Sequence, residues 1–315
     1  MLDLRVTIGS LTLKNPVMPA SGTFGLEHSR IMDFERLGAC VTKSVTPKLR
    51  AGNPTPRVCE TDAGMLNSIG IPSKGLKHFR EQVIPAFAAW ATPLVVSVSA
   101  DTVEEFAQAC AELSVPGVAA IEANISCPNL EADGRAFAMS ARDTTAVLTA
   151  IRARTSLPLW AKLTPNTGDI AAIARAAEDT GAEAVVVANT ILGMAIDVQT
   201  RKPKLGNVMG GLSGPTVKPI IVRMVYQCAR AVRIPVIGCG GIMAAEDAVE
   251  YLLAGAAAVQ VGTASFLHPR AMIDVIEGLE RYCEAHSFAR VAELTAALVV
   301  GDEVSERTLR HAIQV

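Results

Sequence analysis

Eight short apolar runs, each long enough for one buried strand, set the rhythm of this sequence. They are residues 17–20, 40–44, 94–98, 119–124, 159–163, 184–188, 236–238 and 258–261. The runs lack the apolar-polar alternation of a half-solvated strand, so both faces must be covered, as in a parallel sheet with helices outside. Helical periodicity is expected between them, over 29–37, 76–89, 103–113, 143–155, 170–180, 219–232, 245–253 and 270–285. Eight strand-helix units with right-handed crossovers close a (β/α)8 TIM barrel, an α/β fold, and residues 1–315 are read as one such domain. Segments 4–8 and 11–13, joined at Gly9-Ser10, read as an N-terminal β-hairpin cap. A doubly wound open sheet competes, but its Gly-x-Gly-x-x-Gly fingerprint after a first strand is missing.

A barrel of this kind does its chemistry at the C-terminal ends of its strands. Two connections, 45–74 and 192–218, rise from that face and are too long for plain linkers, so functional loops are expected there. The fourth run leads into Asn124-Ile125-Ser126-Cys127-Pro128-Asn129, where Pro128 forbids a continued ladder and a thiol stands among amide side chains. Polar residues end the other runs: Ser21, Lys43 with Ser44, Ser97 with Ser99, Lys162 with Thr164, and Asn189 with Thr190. Lysines and asparagines at the ends of apolar strands are expensive to bury without a ligand, so together they describe a lined pocket. Singly, each has a plainer reading as a solvent-facing lysine or a turn-forming amide. The last two runs end in Gly240-Gly241 and Gly262-Thr263, where backbone N–H groups can approach a phosphate closely. A phosphorylated cofactor is therefore expected.

Composition excludes several classes. A formal net charge of -2 gives no electrostatic footprint for nucleic acid or an anionic membrane. The seven cysteines are scattered with no Cys-x-x-Cys pair, so no metal or iron–sulfur site is expected, and reduced thiols in a cytoplasmic protein are. No apolar run reaches the roughly 18 to 20 residues of a membrane span, and the N-terminus has no signal-like region.

With these motifs in hand, the chain resembles the class 1 dihydroorotate dehydrogenases, and most closely the class 1B catalytic subunit. The resemblance runs from Asn15-Pro16-Val17 and Lys43-Ser44-Val45-Thr46 through residues 64–70 and 124–129. It continues with Lys162-Leu163-Thr164-Pro165, Asn189-Thr190, residues 210–215 and Gly240-Gly241-Ile242. The stretch Asp197-Val198-Gln199-Thr200-Arg201-Lys202-Pro203 favours class 1B over class 1A. The resemblance implies FMN, held at Ser21, Lys43, Ser44, Ser97, Asn124, Lys162, Ala188, Gly214, Gly240, Gly241, Gly262 and Thr263. It implies a pyrimidine, dihydroorotate or orotate, held by Lys43, Asn67, Ser68, Ile69, Gly70, Ile71, Asn124, Asn129, Asn189 and Thr190. Cys127 then matches the general base. A homodimer is implied, and a heterotetramer with an electron-transfer subunit carrying FAD and a [2Fe–2S] cluster, with NAD as terminal acceptor.

The chain departs from the family pattern at three places. Ser97 stands where an Asn contacting the flavin is usual, Pro72-Ser73-Lys74 where Gln-Asn-Pro is, and segment 131–138 is atypical. Rival readings are a dihydropyrimidine dehydrogenase, which usually carries His where Asn129 stands, and a fumarate-linked class 1A enzyme. An RNA-modifying dihydrouridine synthase is a third, although residues 284–315 hold five acidic and three basic side chains and offer little to RNA. A barrel used only as a binding scaffold would leave the lysines and the thiol unexplained.

Overall fold

The computed structural model describes residues 2–127 and 136–300. The eight apolar runs form one parallel sheet of Val17–Pro19, Cys40–Val41, Leu94–Val98, Ala120–Asn124, Leu159–Lys162, Ala184–Val187, Val236–Cys239 and Ala258–Val261. Numbered one to eight along the chain, these strands are ordered 1-8-7-6-5-4-3-2 across the sheet. Sequence neighbours therefore sit side by side, and the two ends of the sheet are strands one and two. At that seam Gly38 N–H donates to Val17 O at 2.9 Å. A Cβ on Gly38 would lie 2.1 Å from Asn15 O, so only glycine lets the chain enter strand two so close to strand one.

The six strands from the third to the eighth are buried along their whole length, which is why their sequences are apolar apart from Ser97, Glu122, Asn124, Lys162 and Gln260. Helices Val103–Glu112, Ala141–Arg152, Ile170–Asp179, Lys218–Ala231, Ala245–Leu253 and Ala271–Ala285 cover the outside. Three of them start on side-chain caps: Thr102 accepts from Glu105 N–H, Ser140 from Asp143 N–H and Asp169 from Ala172 N–H. Each cap stabilises its helix by about 1 kcal/mol. Ile170, Ile173, Ala174 and Ala177 form the buried stripe of one helix, at the spacing that lays one face on the barrel. Among the described residues no helix is long and apolar enough to cross a membrane.

The N-terminal hairpin pairs Val6–Ile8 with Leu11–Leu13. Ser10 donates through its N–H at 2.7 Å and its hydroxyl at 2.6 Å to the carboxylate of Glu183, the residue before strand six. The hairpin thus closes the N-terminal mouth of the barrel, away from the strand ends that carry the site.

Three expectations need correction. Segment 29–37 is two 3-10 turns, Leu26–Arg30 and Phe34–Arg36, rather than a helix. Asp33 lies between them and its carboxylate accepts from Glu35 N–H, which starts a new turn instead of continuing the old one. The helix expected over 76–89 is interrupted by a π segment, Phe79–Val83, just before Pro85, whose ring lacks the N–H an α ladder needs. The two long connections are not plain loops. They pair with each other as a four-stranded antiparallel sheet of Val58–Thr61, Gly64–Asn67, Met209–Ser213 and Ile191–Met194 above the barrel.

Candidate active site

Side chains two apart on a strand face the same way, so Glu122 and Asn124 of strand four both point into the barrel, one layer apart. Glu122 is opposite Ser97 of strand three, and Asn124 is opposite Lys162 of strand five. The lower layer is closed to solvent: Ser97, Glu122 and Gln260 are each 0 % exposed. Glu122 Oε1 accepts from Ser97 Oγ at 2.9 Å, and its Oε2 accepts from Gln260 Nε2 at 2.7 Å. Lys162 Nζ lies 3.9 Å from Glu122, donating to Gln260 Oε1 at 3.0 Å and to Ser21 Oγ at 3.3 Å. Burial alone would push the Lys162 ammonium down. The negative charge of Glu122, aided by Cys239 and Cys127, outweighs burial and holds it above the ordinary lysine value.

The upper layer carries the thiol. Ser44 Oγ is 2.9 Å from Ser97 Oγ, and Asn124 Nδ2 donates to Ser44 Oγ at 3.0 Å. Asn124 Oδ1 accepts from Ser126 Oγ at 2.5 Å and from the Cys127 thiol at 3.6 Å. Asn189, just past strand six, donates through Nδ2 to Ser126 Oγ at 2.7 Å and to Cys127 Sγ at 3.7 Å. Burial pushes the Cys127 thiol above its ordinary range, and the Lys162 charge opposes this without cancelling it.

Lys43 lies two residues past strand two, half-buried, with no hydrogen bond or ion pair among the described residues. Burial lowers its pKa, although Cys127 and Glu27 pull the other way. A cavity of about 350 Å³ opens beside Lys43 and Ser44, lined also by Phe24, Thr42, Lys74 and His78.

The glycines expected to meet a phosphate come together. Gly214, Gly240 and Gly241 all have positive φ, and a Cβ on Gly241 would sit 2.8 Å from Gly214 O. Thr263 Oγ1 donates to Ser213 Oγ at 2.8 Å, tying Gly262-Thr263 at the end of strand eight to the same corner. Ala188 N–H donates to Cys239 O at 3.0 Å and joins strand six to strand seven there.

The accessory sheet carries the remaining candidates. Asn67 Nδ2 donates to Gly211 O at 3.2 Å, and a Cβ on Gly211 would lie 1.9 Å from Thr190 Oγ1, so this glycine lets the sheet settle on the end of strand six. Thr190 N–H donates to Asn189 Oδ1 at 2.8 Å, which links Asn67 to the Cys127 group. Ser68 accepts from Asn53 Nδ2, Ile69 O accepts from Asn53 N–H, Gly70 packs on Asn53, and Ile71 has φ 47°. These four brace their own loop. Asn129 lies outside the described residues.

Two residues of the polar cluster escaped the sequence reading, Glu122 and Gln260. The signal was present, since each is the single charged or amide residue inside an apolar run, and Glu122 shares the facing of the strand-end Asn124. Ser97 stands among the residues expected at the cofactor, as a shorter side chain than the usual amide. Its hydroxyl lies in the closed layer, bonded to Glu122 and Ser44.

A parallel eight-stranded barrel that gathers a thiol, a buried and a half-buried lysine and several amides at its C-terminal face defines a barrel enzyme acting on a small polar molecule. The family model for dihydroorotate dehydrogenase matches residues 3–283, and the chain belongs to that family of oxidoreductases. A relative from Desulforamulus reducens, named dihydroorotate dehydrogenase B (NAD(+)), catalytic subunit, is 49% identical over 299 residues, covering 94% of this chain and 98% of the relative. Relatives of the same name from Bacteroides thetaiotaomicron and Geobacter sulfurreducens are 48% and 49% identical, each over 95% of this chain and at least 99% of their own length.

Proposed function

We propose that this chain is the catalytic subunit of an NAD-linked dihydroorotate dehydrogenase, oxidising dihydroorotate to orotate in pyrimidine biosynthesis. The observation that carries the reading is a pair of lysine ammoniums that converge on one thiol, each with donor capacity left over. Lys43 has no partner among the described residues, and Lys162 engages only Ser21 and Gln260 within hydrogen-bond reach, which leaves its third N–H open. A buried ammonium keeps a free donor only where a ligand completes it.

The family is flavin-dependent, and FMN fits the residues present. Gly214, Gly240, Gly241, Gly262 and Thr263 would hold its phosphate in the corner that a Cβ on Gly241 would obstruct. Ser21, Lys43, Ser44, Asn124, Lys162 and Ala188 would hold the rest, with Ser97 acting from beneath through Ser44. When bound, FMN supplies a two-electron acceptor for the hydride leaving C6 of the substrate. Lys43, Asn67, Ser68, Ile69, Gly70, Ile71, Asn124, Asn129, Asn189 and Thr190 would hold the pyrimidine. Cys127, as thiolate, removes the C5 proton, and Asn189 Nδ2 steadies the sulfur.

Electrons then pass to a partner subunit bearing FAD and [2Fe–2S] and on to NAD, and the catalytic chains pair as a homodimer within a heterotetramer. Exposed Leu192, Met194 and Met209 on the accessory strands, with Ile196, Val198 and Val208 on the connection between them, give such contacts an apolar surface. The cysteines among the described residues are free thiols, which suits a reducing cytoplasm.

The test is substrate choice by the purified chain with a dye as electron acceptor. Oxidation of dihydroorotate and not dihydrouracil is expected. Preference for dihydrouracil would favour the dihydropyrimidine reading, and fast turnover with fumarate alone the class 1A reading.

A further inference from the structure

The hydroxyls between Glu122 and Asn124 each carry one proton, and the fully buried carboxylate at one end decides where every proton goes. Glu122 accepts at both oxygens, so Ser97 donates its single proton to Oε1. Ser97 can then only accept from Ser44, which settles the 2.9 Å contact between the two hydroxyls. Ser44, its proton committed, must accept from Asn124 Nδ2. The amide is thereby oriented with Oδ1 toward Ser126 and the Cys127 thiol.

We propose that Glu122 is a positioning residue which, through Ser97 and Ser44, fixes the Asn124 amide with its oxygen and not its nitrogen facing Cys127. The inference deepens the proposed function and rests on its reading of Cys127 as the base. An acceptor at 3.6 Å favours the protonated thiol, while Asn189 Nδ2 at 3.7 Å favours the thiolate. Among the described residues the sulfur therefore has an amide acceptor for its protonated form, and an amide donor together with the Lys162 charge for its thiolate form. Were the amide reversed, two N–H groups would face the sulfur, and the thiolate would be stabilised too far to be an effective base. The charged and titratable groups facing this cluster are Lys43 from just past strand two, Glu122 from strand four, Lys162 from strand five and Cys239 from strand seven.

The experiment measures Cys127 alkylation by iodoacetamide against pH in the purified full-length chain. Wild type, Glu122→Gln, Ser97→Ala and the double variant are compared, with Cys127→Ser giving the background from the other thiols. Removing either relay member frees Ser44 to donate to Asn124 Oδ1, which turns Nδ2 toward the sulfur. Each single variant should then be alkylated about threefold faster near neutral pH, because a thiol pKa lowered by about one unit raises the thiolate fraction about tenfold while the less basic thiolate reacts about threefold more slowly. The double variant should match the singles, because both act through one path. Faster alkylation in Glu122→Gln but not in Ser97→Ala would assign the effect to the field of the carboxylate and overturn the relay, as would no change in either. Ser97→Ala, which removes one hydroxyl, decides the matter alone if Glu122→Gln does not fold. Alkylation needs no turnover, so failure to oxidise dihydroorotate would refute the proposed function and leave this result standing.

Discussion

Replacing Lys162 by Met keeps the length of the side chain and removes the cation nearest to Glu122. Both side chains are closed to water, at 4 % and 0 % relative exposure, and the charged atoms are 3.9 Å apart. At an effective dielectric of about 20, two unit charges at that separation attract by about 4 kcal/mol. Ser97 and Gln260 still donate to the carboxylate in the variant and soften the loss, but neither neutralises its charge. Breaking a buried pair by removing one partner typically costs about 3 to 5 kcal/mol, so Lys162→Met should lower unfolding free energy by that amount. The double variant Lys162→Met with Glu122→Gln removes both charges and should recover about 2 kcal/mol or more of the loss. Urea denaturation of wild type, both single variants and the double variant supplies the cycle. A loss below about 1 kcal/mol in Lys162→Met, or strict additivity, would mean that the two groups do not form a coupled buried pair, and the reasoning about the lower layer would fail.

Cys127→Ala should slow flavin reduction by about 10²- to 10⁴-fold while changing orotate affinity only a few-fold, because the thiol acts on the moving proton whereas the amides hold the ring in both states. Stopped-flow reduction and orotate titration separate the two, and equal losses in both would make Cys127 structural. Burial raises the thiol pKa, and only the thiolate is a base, so the reduction rate should climb with pH, about tenfold per unit through the neutral range, and level off only above the ordinary thiol value. A rate independent of pH between about 6 and 8 would contradict a base so placed. Gly241→Val puts a branched side chain at φ 69° with its Cβ position 2.8 Å from Gly214 O, so FMN should dissociate at least several-fold faster on dialysis while the fold persists. Unchanged retention would remove that corner from the cofactor site.

The barrel could be read from the sequence because its strands are buried on both faces, and uniform runs such as Ala184–Val187 have few alternative fates. The accessory sheet could not. Gly64–Asn67 and Met209–Ser213 are rich in glycine, lack β-branched residues and become strands only by pairing with each other across the long span between them. Much of the upper site was legible for the opposite reason, since Lys43, Asn124, Lys162 and Asn189 break apolar runs at their ends. Glu122 and Gln260 sit inside such runs, and their meaning depends on partners across the barrel, 138 residues apart in sequence. The departure at Ser97 acquires a physical account in the same way. A larger amide there would enter a layer already filled by Glu122 and Ser44.

The most direct test of a flavin-linked, thiol-assisted oxidation of dihydroorotate is the absorption spectrum of the purified chain before and after anaerobic addition of dihydroorotate. The account predicts a bound, extractable FMN whose visible band bleaches on adding dihydroorotate and returns with oxygen, while dihydrouracil leaves it unchanged. A protein that cannot be loaded with FMN, or a loaded flavin that dihydroorotate does not reduce, would contradict it.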